Sequence, residues 1–292
     1  MQLRGAFTAL VTPFKNGAVD EEAYRAFIEW QIEQGINGLV PCGTTGEAAT
    51  LSHAEQGQVI SICVDQVKGR LPVIAGAGSN NTMEAIELTR LAKKAGADAA
   101  LIITPYYNKP TPDGLVAHFK AIAAKASMPF ILYNVPGRTG QNVMPKTIAR
   151  VVREVPEVIG CKEATGDIKQ GSELIELMGK DFIVLSGDDF TVLPLLAVGG
   201  SGTISVTSNV MPAKMSGMID AFFKRDIVRA QALHLEMNPV NRAMFLEVNP
   251  IPVKTALHLM GKMGPEFRLP LVPLEPANLA QLKDVLAQSG LL

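Results

Sequence analysis

The chain has 292 residues, and its 27 Lys and Arg nearly balance its 28 Asp and Glu, so that the net charge is −1. This balance gives no basis for binding nucleic acid or an anionic membrane, and no apolar run approaches the ~18 residues of a membrane helix. Hydrophobic residues make up 47%, enough for one large domain, and three widely separated cysteines without a CxxC motif favour a reduced, cytoplasmic protein.

Short apolar runs alternate with longer amphipathic stretches along most of the chain. Each run is continuously hydrophobic, as are parallel strands that are buried on both faces. The runs recur roughly every 20 to 34 residues, about the length of one strand–helix unit. The first run contains threonines and no evident cleavage site, so it predicts a strand rather than a signal peptide. The eight predicted strands are Ala6–Thr12, Gly38–Cys42, Pro72–Gly76, Ala99–Thr104, Phe130–Asn134, Val158–Lys162, Phe182–Ser186 and Gly202–Thr207.

Signals for helix starts lie between these strands. Ser52 and Glu55 have the spacing of a capping box, and Asn81 and Glu84 repeat it before the next amphipathic stretch. Pro112 follows a threonine, the order expected of an N-cap and the first helical residue. A helix is therefore expected between successive strands.

Eight alternating units predict an α/β fold, the (β/α)8 TIM barrel. The alternative is a doubly wound open sheet that binds a dinucleotide. The sequence Gly76-Ala77-Gly78 lacks the third glycine of that fingerprint, and no GxxxxGK[ST] phosphate loop is present. The barrel is therefore favoured.

Strand signals cease after Asp226. Pro239 is expected to kink or split the first of three helices that follow. These helices are predicted at Ile227–Phe245, Pro252–Lys262 and Ala277–Gln288. The chain thus divides into a catalytic barrel at residues 1–225 and a C-terminal helical appendage at residues 226–292.

Active sites of such barrels lie at the C-terminal ends of the strands. Histidine is absent from these positions, since His53, His118, His234 and His258 all fall in helical stretches. A metal-dependent hydrolase collects histidine and carboxylate ligands at strand ends. The sequence therefore indicates no metal site.

Two neighbouring strand ends carry groups that suit carbonyl chemistry. Lys162 lies at the rim of a buried strand, where an amine must be paired or neutral. A neutral amine attacks ketones, whereas the alternative is an ion pair with Glu163 or a more distant carboxylate. Tyr133 ends the adjacent strand, where its phenol could transfer protons or fill the core as an ordinary aromatic residue.

Polar groups at two other strand ends suit a substrate carboxylate. Thr44 and Thr45 lie in a glycine-flanked turn, whose hydroxyls could hold a carboxylate or simply close the turn. Arg138 follows a Pro-Gly turn, where it could bind a carboxylate in bidentate fashion or remain solvated. A lysine, hydroxyls and an arginine on one face together favour keto-acid chemistry.

Seven segments, spread over essentially the whole chain, resemble the pyruvate-dependent class I aldolases of the N-acetylneuraminate lyase superfamily, and among them the dihydrodipicolinate synthase family. Each segment alone is moderately specific, whereas all seven in this order are strongly specific. The segments are Thr8–Phe14, Gly43–Glu47, Thr104–Pro110, Tyr133–Thr139, Lys162–Gly166, Ser186–Asp189 and Asn249–Lys254.

The resemblance implies a role for each matched position. It implies that Lys162 forms a Schiff base with pyruvate and that Tyr133 is the general acid and base. Thr44 and Tyr107 match its partners in a proton relay, and in the family this second tyrosine comes from across a tight dimer interface. The implied substrate-binding residues are Thr45 for the pyruvate carboxylate, Arg138 for the carboxylate of the aldehyde, and Gly187 and Ile204 along the pyruvate pocket.

The implied reaction condenses pyruvate with L-aspartate-4-semialdehyde to give 4-hydroxy-tetrahydrodipicolinate, in the diaminopimelate route of lysine biosynthesis. An iminium on Lys162 would be the electron sink, so the resemblance implies no metal and no organic cofactor. Arg138 distinguishes this reaction from those of the sialic acid and keto-deoxy sugar acid lyases, which are the alternative. A non-catalytic barrel is a further alternative, although it should lack Lys162 or Tyr133.

The family also implies small-molecule substrates and a homotetramer built as a dimer of dimers. Many members are inhibited by lysine at a dimer-interface site. The positions that match this site are Ala49, His53, Asn80, Glu84 and Tyr106. Gln56 stands in place of the histidine of strongly sensitive members, and Ala48 in place of the usual serine, so lysine inhibition stays an open hypothesis. The alternative explanation of His53 and Glu84 is that they are polar residues at helix starts.

Overall fold

The computed structural model describes residues 3–292. Within that range, one sheet contains eight parallel strands, each of which lies on a predicted apolar run. The strands are β1 Gly5–Ala9, β2 Gly38–Val40, β3 Ile74–Gly76, β4 Ala99–Ile103, β5 Phe130–Asn134, β6 Val158–Glu163, β7 Ile183–Ser186 and β8 Gly202–Ser205.

The sheet closes on itself. Strands adjacent in sequence pair in parallel from β3 through β8, and β1 pairs with both β2 and β8, where Gly5 stands opposite Gly202. The remaining seam, between β2 and β3, is joined by a parallel bridge between Leu39 and Val73. This closed order confirms the predicted barrel and rules out the doubly wound open sheet.

Helices follow the strands around the outside of the barrel. A hairpin of Phe14–Lys15 and Ala18–Val19, which no sequence pattern predicted, follows β1. The barrel helices are α1 Glu21–Glu33, α2 His53–Val67, α3 Thr82–Ala95, α4 Pro112–Ala126, α5 Pro136–Thr139, α6 Pro145–Glu154, α7 Ile168–Met178, α8 Val192–Ala197 and α9 Pro212–Phe223.

One predicted capping box forms and the other does not. The Ser52 hydroxyl accepts from the backbone N–H of Glu55, whose carboxylate accepts from the Ser52 N–H at 2.9 Å. Asn81 caps α3 through the N–H of Met83, but the Glu84 carboxylate accepts from the Ser79 hydroxyl at 2.7 Å instead of returning to the cap. The second box was therefore a wrong prediction, because a nearer side-chain donor occupies Glu84.

Three helices complete the chain: α10 Ile227–Ala243, α11 Ile251–Leu259 and α12 Pro276–Gln288. The helix α10 is continuous through Pro239, so the expected split is wrong. An interior proline removes one backbone hydrogen bond. Met237 and Val240 beside it are fully buried, and α10 packs along α9 and α12, so tertiary packing holds the helix together. None of the helices within residues 3–292 has the length and hydropathy required to cross a bilayer.

The core has two layers that leave one end of the barrel for the site. A large cluster lies between the strands and the surrounding helices. A smaller cluster fills the barrel interior with Phe7, Val40, Ile74, Leu101 and Ile131. Because this filling closes the barrel axis, ligands are confined to the mouth formed by the C-terminal strand ends.

Candidate active site

Lys162 and Tyr133 stand side by side at the C-terminal mouth of the barrel. They are register partners on β6 and β5, and each is 7% exposed. The Lys162 Nζ lies 4.3 Å from the centroid of the Tyr133 ring. The closed sheet thus brings the predicted amine and phenol into contact.

Glu163 is not the partner of Lys162. Successive strand residues point to opposite faces, so Glu163 faces away from the barrel axis. Its carboxylate there accepts from the amides of Asn134 and Gln170, at 3.1 Å each, and from the Thr165 N–H. Among residues 3–292, no salt bridge engages Lys162. Within the described part of the chain, the Lys162 amine is therefore buried and without a counter-ion.

A cavity of about 520 Å³ opens above Lys162. Tyr107, in contrast, does not line it, because its side chain is 90% exposed on the loop after β4. Seven of the eight predicted catalytic and substrate-binding residues line this cavity: Lys162, Tyr133, Thr44, Thr45, Arg138, Gly187 and Ile204.

The space beside Lys162 depends on Gly187. A Cβ at this position would lie 2.9 Å from the Lys162 Cε and would overlap the Cβ of Ala164. Both contacts are too close for carbon atoms that are not bonded to each other, so a side chain at position 187 would displace Lys162. Glycine at the end of β7 therefore keeps the approach to the amine open.

The turn after β2 carries both threonines. Thr45 is 3% exposed, and its hydroxyl accepts from the Asn249 side-chain amide at 3.0 Å. Thr44 is half-buried at the cavity wall. On the opposite rim, the exposed Arg138 of α5 donates through Nη2 to the backbone carbonyl of Asn249 at 3.1 Å. Asn249, in the segment between α10 and α11, thus contacts both Thr45 and Arg138, on two sides of the barrel mouth.

A buried ion pair, which no sequence pattern predicted, anchors this turn. Lys254 Nζ lies 2.5 Å from a carboxylate oxygen of Glu47, and the two side chains are 0% and 1% exposed. The ammonium also lies 4.1 Å from the centroid of the Phe14 ring. Burial lowers the pKa of Lys254, and the Glu47 charge opposes that shift. Both residues fall in segments that match the family. A carboxylate next to a buried strand needs a positive partner, and Lys254 at the end of the last segment was the available candidate.

Asp189 connects the ends of β7 and β8. Its buried carboxylate accepts from the backbone N–H groups of Val206 and Thr207, at 3.1 and 2.8 Å. Burial raises the pKa of Asp189, while these hydrogen bonds oppose the rise. The contact fixes the strand ends that place Gly187 and Ile204.

The family model described as the dihydrodipicolinate synthetase family matches residues 2–289. The chain belongs to this family. It is also 69% identical, over the full length of both chains, to the 4-hydroxy-tetrahydrodipicolinate synthase of Nitratidesulfovibrio vulgaris strain Miyazaki F. These matches confirm the resemblance seen in the seven segments.

Two solved structures of the family bear on the site. The pyruvate complex of the dihydrodipicolinate synthase from Acinetobacter baumannii superposes with a TM-score of 0.97 at 46% identity, with 100% of each chain covered. The lysine-bound enzyme from Cyanidioschyzon merolae gives a TM-score of 0.95 at 39% identity, with 99% of each chain covered. The dihydrodipicolinate synthase barrel is thus shared over the whole chain.

A second cavity, of about 460 Å³, adjoins the first and shares Thr44, Tyr133 and Arg138 with it. Its outer part is lined by four of the five residues that match the family's lysine site: Ala49, His53, Glu84 and Tyr106. The fifth, Asn80, donates to the Tyr106 carbonyl at 3.2 Å. The structure therefore brings all five together beside the active site.

Gln56, which stands in place of the family's histidine, also lines this second cavity. It is 7% exposed, and its amide donates to the Ala48 carbonyl at 3.2 Å. The two departures from the lysine-sensitive pattern therefore contact each other. The amide of Gln56 is used within the protein, which leaves fewer groups for a ligand at this point.

Proposed function

We propose that the chain condenses pyruvate with L-aspartate-4-semialdehyde to give 4-hydroxy-tetrahydrodipicolinate, through a Schiff base on Lys162, in the diaminopimelate route of lysine biosynthesis. The observation that carries this proposal is the buried Lys162 amine, which has no counter-ion among residues 3–292 and contacts Tyr133 where both line the cavity. An amine held in this way is suited to attack a ketone.

In the first half of the reaction, the Lys162 amine attacks the pyruvate ketone and Tyr133 donates the proton with which water leaves. The resulting iminium withdraws electrons, so the methyl group loses a proton and an enamine forms. We infer that the Thr45 hydroxyl holds the pyruvate carboxylate meanwhile, because it lines the same cavity as Lys162. No metal or organic cofactor enters these steps.

In the second half, the enamine carbon attacks the aldehyde of the second substrate. Arg138, at the rim, offers a planar guanidinium to the carboxylate of that substrate. The amino group of the same substrate then displaces the Lys162 nitrogen by transimination, which closes the ring and frees the enzyme. A second substrate that is short and carries both groups fits these residues.

The experiment that tests this function is turnover of pyruvate with L-aspartate-4-semialdehyde, coupled to an NAD(P)H-dependent reductase, with and without EDTA. We expect equal turnover in both. Lys162→Ala should lose at least 10³-fold in activity and all pyruvate adduct trapped by borohydride. Turnover only of a sialic acid or keto-deoxy sugar acid would instead assign the chain to another aldolase reaction, and an adduct in Lys162→Ala would show that a different lysine reacts.

We further propose that the active unit is a homo-oligomer, a tetramer arranged as two dimers, and that Tyr107 serves the site of a neighbouring subunit. The Tyr107 side chain is 90% exposed and does not line the cavity of its own subunit. A proton relay of Thr44, Tyr133 and Tyr107 then requires two chains. This arrangement accounts for an exposed aromatic residue beside the half-exposed Tyr106.

Mixed subunits test this proposal. Tyr107→Phe and Lys162→Ala should each be poorly active alone. Co-refolded together, they should form dimers in which one site has both an intact Lys162 and an intact Tyr107, and activity should return. Absence of recovery in verified mixed dimers would place Tyr107 outside the relay.

We also propose that lysine binds in the second cavity, where the Glu84 carboxylate can accept hydrogen bonds from an ammonium group and His53 lies at the wall. Because Gln56 replaces a histidine, the inhibition should be weaker than in strongly sensitive members. A lysine titration of the coupled assay measures it, and unchanged turnover at millimolar lysine would exclude this regulation.

A further inference from the structure

The segment that carries Arg138 is closed at its base by one side chain. It comprises residues 135–142, between β5 and α6, and contains the four-residue helix α5. Among residues 3–292, no backbone hydrogen bond joins its two ends. Instead, the Asn134 side chain joins them, because its Oδ1 accepts from the Val143 N–H at 3.1 Å and its Nδ2 donates to the Asn142 Oδ1 at 2.9 Å. A single amide therefore fixes where the segment leaves the barrel and where it returns.

Glu163 fixes the orientation of this amide. It is 5% exposed and is the register partner of Asn134 on β6. One oxygen of its carboxylate accepts from the Asn134 Nδ2 and from the Gln170 Nε2, at 3.1 Å each, and the other accepts from the Thr165 N–H at 2.9 Å. An ionised carboxylate accepts hydrogen bonds and donates none. The NH2 end of Asn134 must therefore face Glu163, which turns its oxygen toward the Val143 N–H.

The polar network around this amide is complete and lies outside the cavity. The Asn142 Nδ2 donates to the Gln170 Oε1 at 2.8 Å, and the Gln170 Nε2 donates back to the Asn142 Oδ1 at 3.1 Å. A buried network in which all groups are paired is rigid. Asn134, Asn142, Glu163 and Gln170 line neither of the two cavities. Any effect of this network on a substrate must therefore pass through the residues that it holds.

Other contacts hold the segment less firmly. The Gln141 Nε2 donates to the Pro110 carbonyl at 2.9 Å, and Arg138 donates to the Asn249 carbonyl at 3.1 Å. Both acceptors lie in connections between helices and strands. Asn134, in contrast, belongs to β5 and is fixed by the sheet. The base of the segment is therefore the part that the barrel itself positions.

We propose that Asn134 is a positioning residue for Arg138: it closes the base of the segment and so presents the guanidinium to the carboxylate of the aldehyde substrate. Glu163 acts by holding the amide of Asn134. This inference rests on the proposed function, which assigns Arg138 to that carboxylate. A planar guanidinium binds a carboxylate in a fixed geometry, so a displacement of about 1 Å is enough to weaken the contact.

The test reverses the polarity of the network. Asn134→Asp places a second carboxylate beside Glu163, and Glu163→Gln places an NH2 group against the donors of Asn134 and Gln170. In the double variant, the amide at position 163 donates to the carboxylate at position 134, which still accepts from the Val143 N–H. Each single variant should raise KM for L-aspartate-4-semialdehyde about tenfold, because a charge-assisted contact weakens. The double variant should return to within about threefold of wild type.

Pyruvate binding separates this role from a general effect on the strand ends. The pyruvate concentration for half-maximal borohydride trapping should change less than about twofold in all three variants. An equal weakening of pyruvate trapping would overturn the inference, since it would show that the network holds Lys162 and Tyr133 instead. Asn142→Ala, at an exposed position, keeps the test valid if a buried variant does not fold. It should raise KM for the aldehyde about threefold, and an unchanged KM would overturn the inference.

Arg138→Ala tests whether Asn134 acts through Arg138. Alone it should raise KM for the aldehyde about tenfold or more. Addition of Asn134→Asp should then raise KM by less than about twofold, because no guanidinium is left to position. Effects that multiply in full would overturn the inference.

Asn241→Asp is the matched control. Asn241 is also a buried asparagine, but it lies in α10 and lines neither cavity. The substitution should lower the melting temperature and leave KM and pyruvate trapping unchanged. Absence of turnover in wild type, or an unchanged KM in Arg138→Ala, would refute the proposed function. Turnover in wild type and a raised KM in Arg138→Ala, with unchanged KM in every network variant, would refute only this inference.

Discussion

The buried pair of Lys254 and Glu47 should behave as a single unit in folding stability. We consider Lys254→Met, Glu47→Gln and the double variant. Methionine keeps the apolar stem of Lys254 against Phe14 and removes the charge. Each single variant should be much less stable than wild type, and the double variant should regain most of the loss.

The magnitude follows from distance and burial. At 2.5 Å the two charges attract by about 7 kcal/mol at an effective dielectric constant of about 20. Removal of both ions from water costs several kcal/mol each, so the intact pair contributes little net stability. Loss of one partner leaves the other charge buried, and each single variant should lose about 3–5 kcal/mol. If the double variant loses only about 1 kcal/mol, the coupling energy in the cycle is about 5 kcal/mol or more.

The assay is urea unfolding followed by circular dichroism, at one protein concentration for all four proteins because subunit association shifts the midpoint. The slopes of the transitions should agree, so that midpoints report stability. A coupling energy below about 0.5 kcal/mol would refute the reasoning, since distant, independent sites behave in that way.

Two further changes probe the site and the stability at low pH. Gly187→Ala should reduce kcat/KM at least 100-fold and abolish borohydride trapping, because the new Cβ would displace Lys162. An unchanged amount of trapped adduct would show that the end of β7 moves and Lys162 stays in place. Burial lowers the pKa of His118 to about 4, so the folded state favours the neutral imidazole. The stability that this group contributes is present above about pH 6.5 and is lost as the pH falls toward 4. His118→Gln should remove about 2 kcal/mol of this loss between pH 7 and pH 4.5. The free energies of unfolding from urea titrations at the two pH values measure it, and equal pH dependence in both proteins would contradict the assignment.

The barrel was predictable because its strands are continuous apolar runs, and a parallel strand that is buried on both faces leaves that pattern in the sequence. Lys162 was recognisable because a lysine directly after such a run must reach the rim. Helix starts were less certain. The pattern of Ser52 and Glu55 gave a capping box, whereas the same pattern at Asn81 and Glu84 did not, since a neighbouring serine hydroxyl competes for the carboxylate.

The missed residues share a physical cause. Asn249 lies in a loop, and Lys254 lies in a short helix whose sequence does not show which side faces the barrel. Their importance comes from contacts with Thr45 and Glu47, across 204 and 207 positions of sequence. Local periodicity carries no information on contacts of that range, so the C-terminal region was predicted as an appendage although it forms part of the cavity wall.

These long-range contacts also set an order of events during synthesis. A chain emerges from the ribosome N-terminus first, so all eight strands and Lys162 are made before Asn249 and Lys254 exist. Until those residues arrive, the Glu47 carboxylate has no ammonium beside it and the Thr45 hydroxyl has no amide to orient it. A nascent or truncated chain can therefore hold the reactive lysine without the surroundings that direct it, and the chain gains a complete site only as its final helices dock.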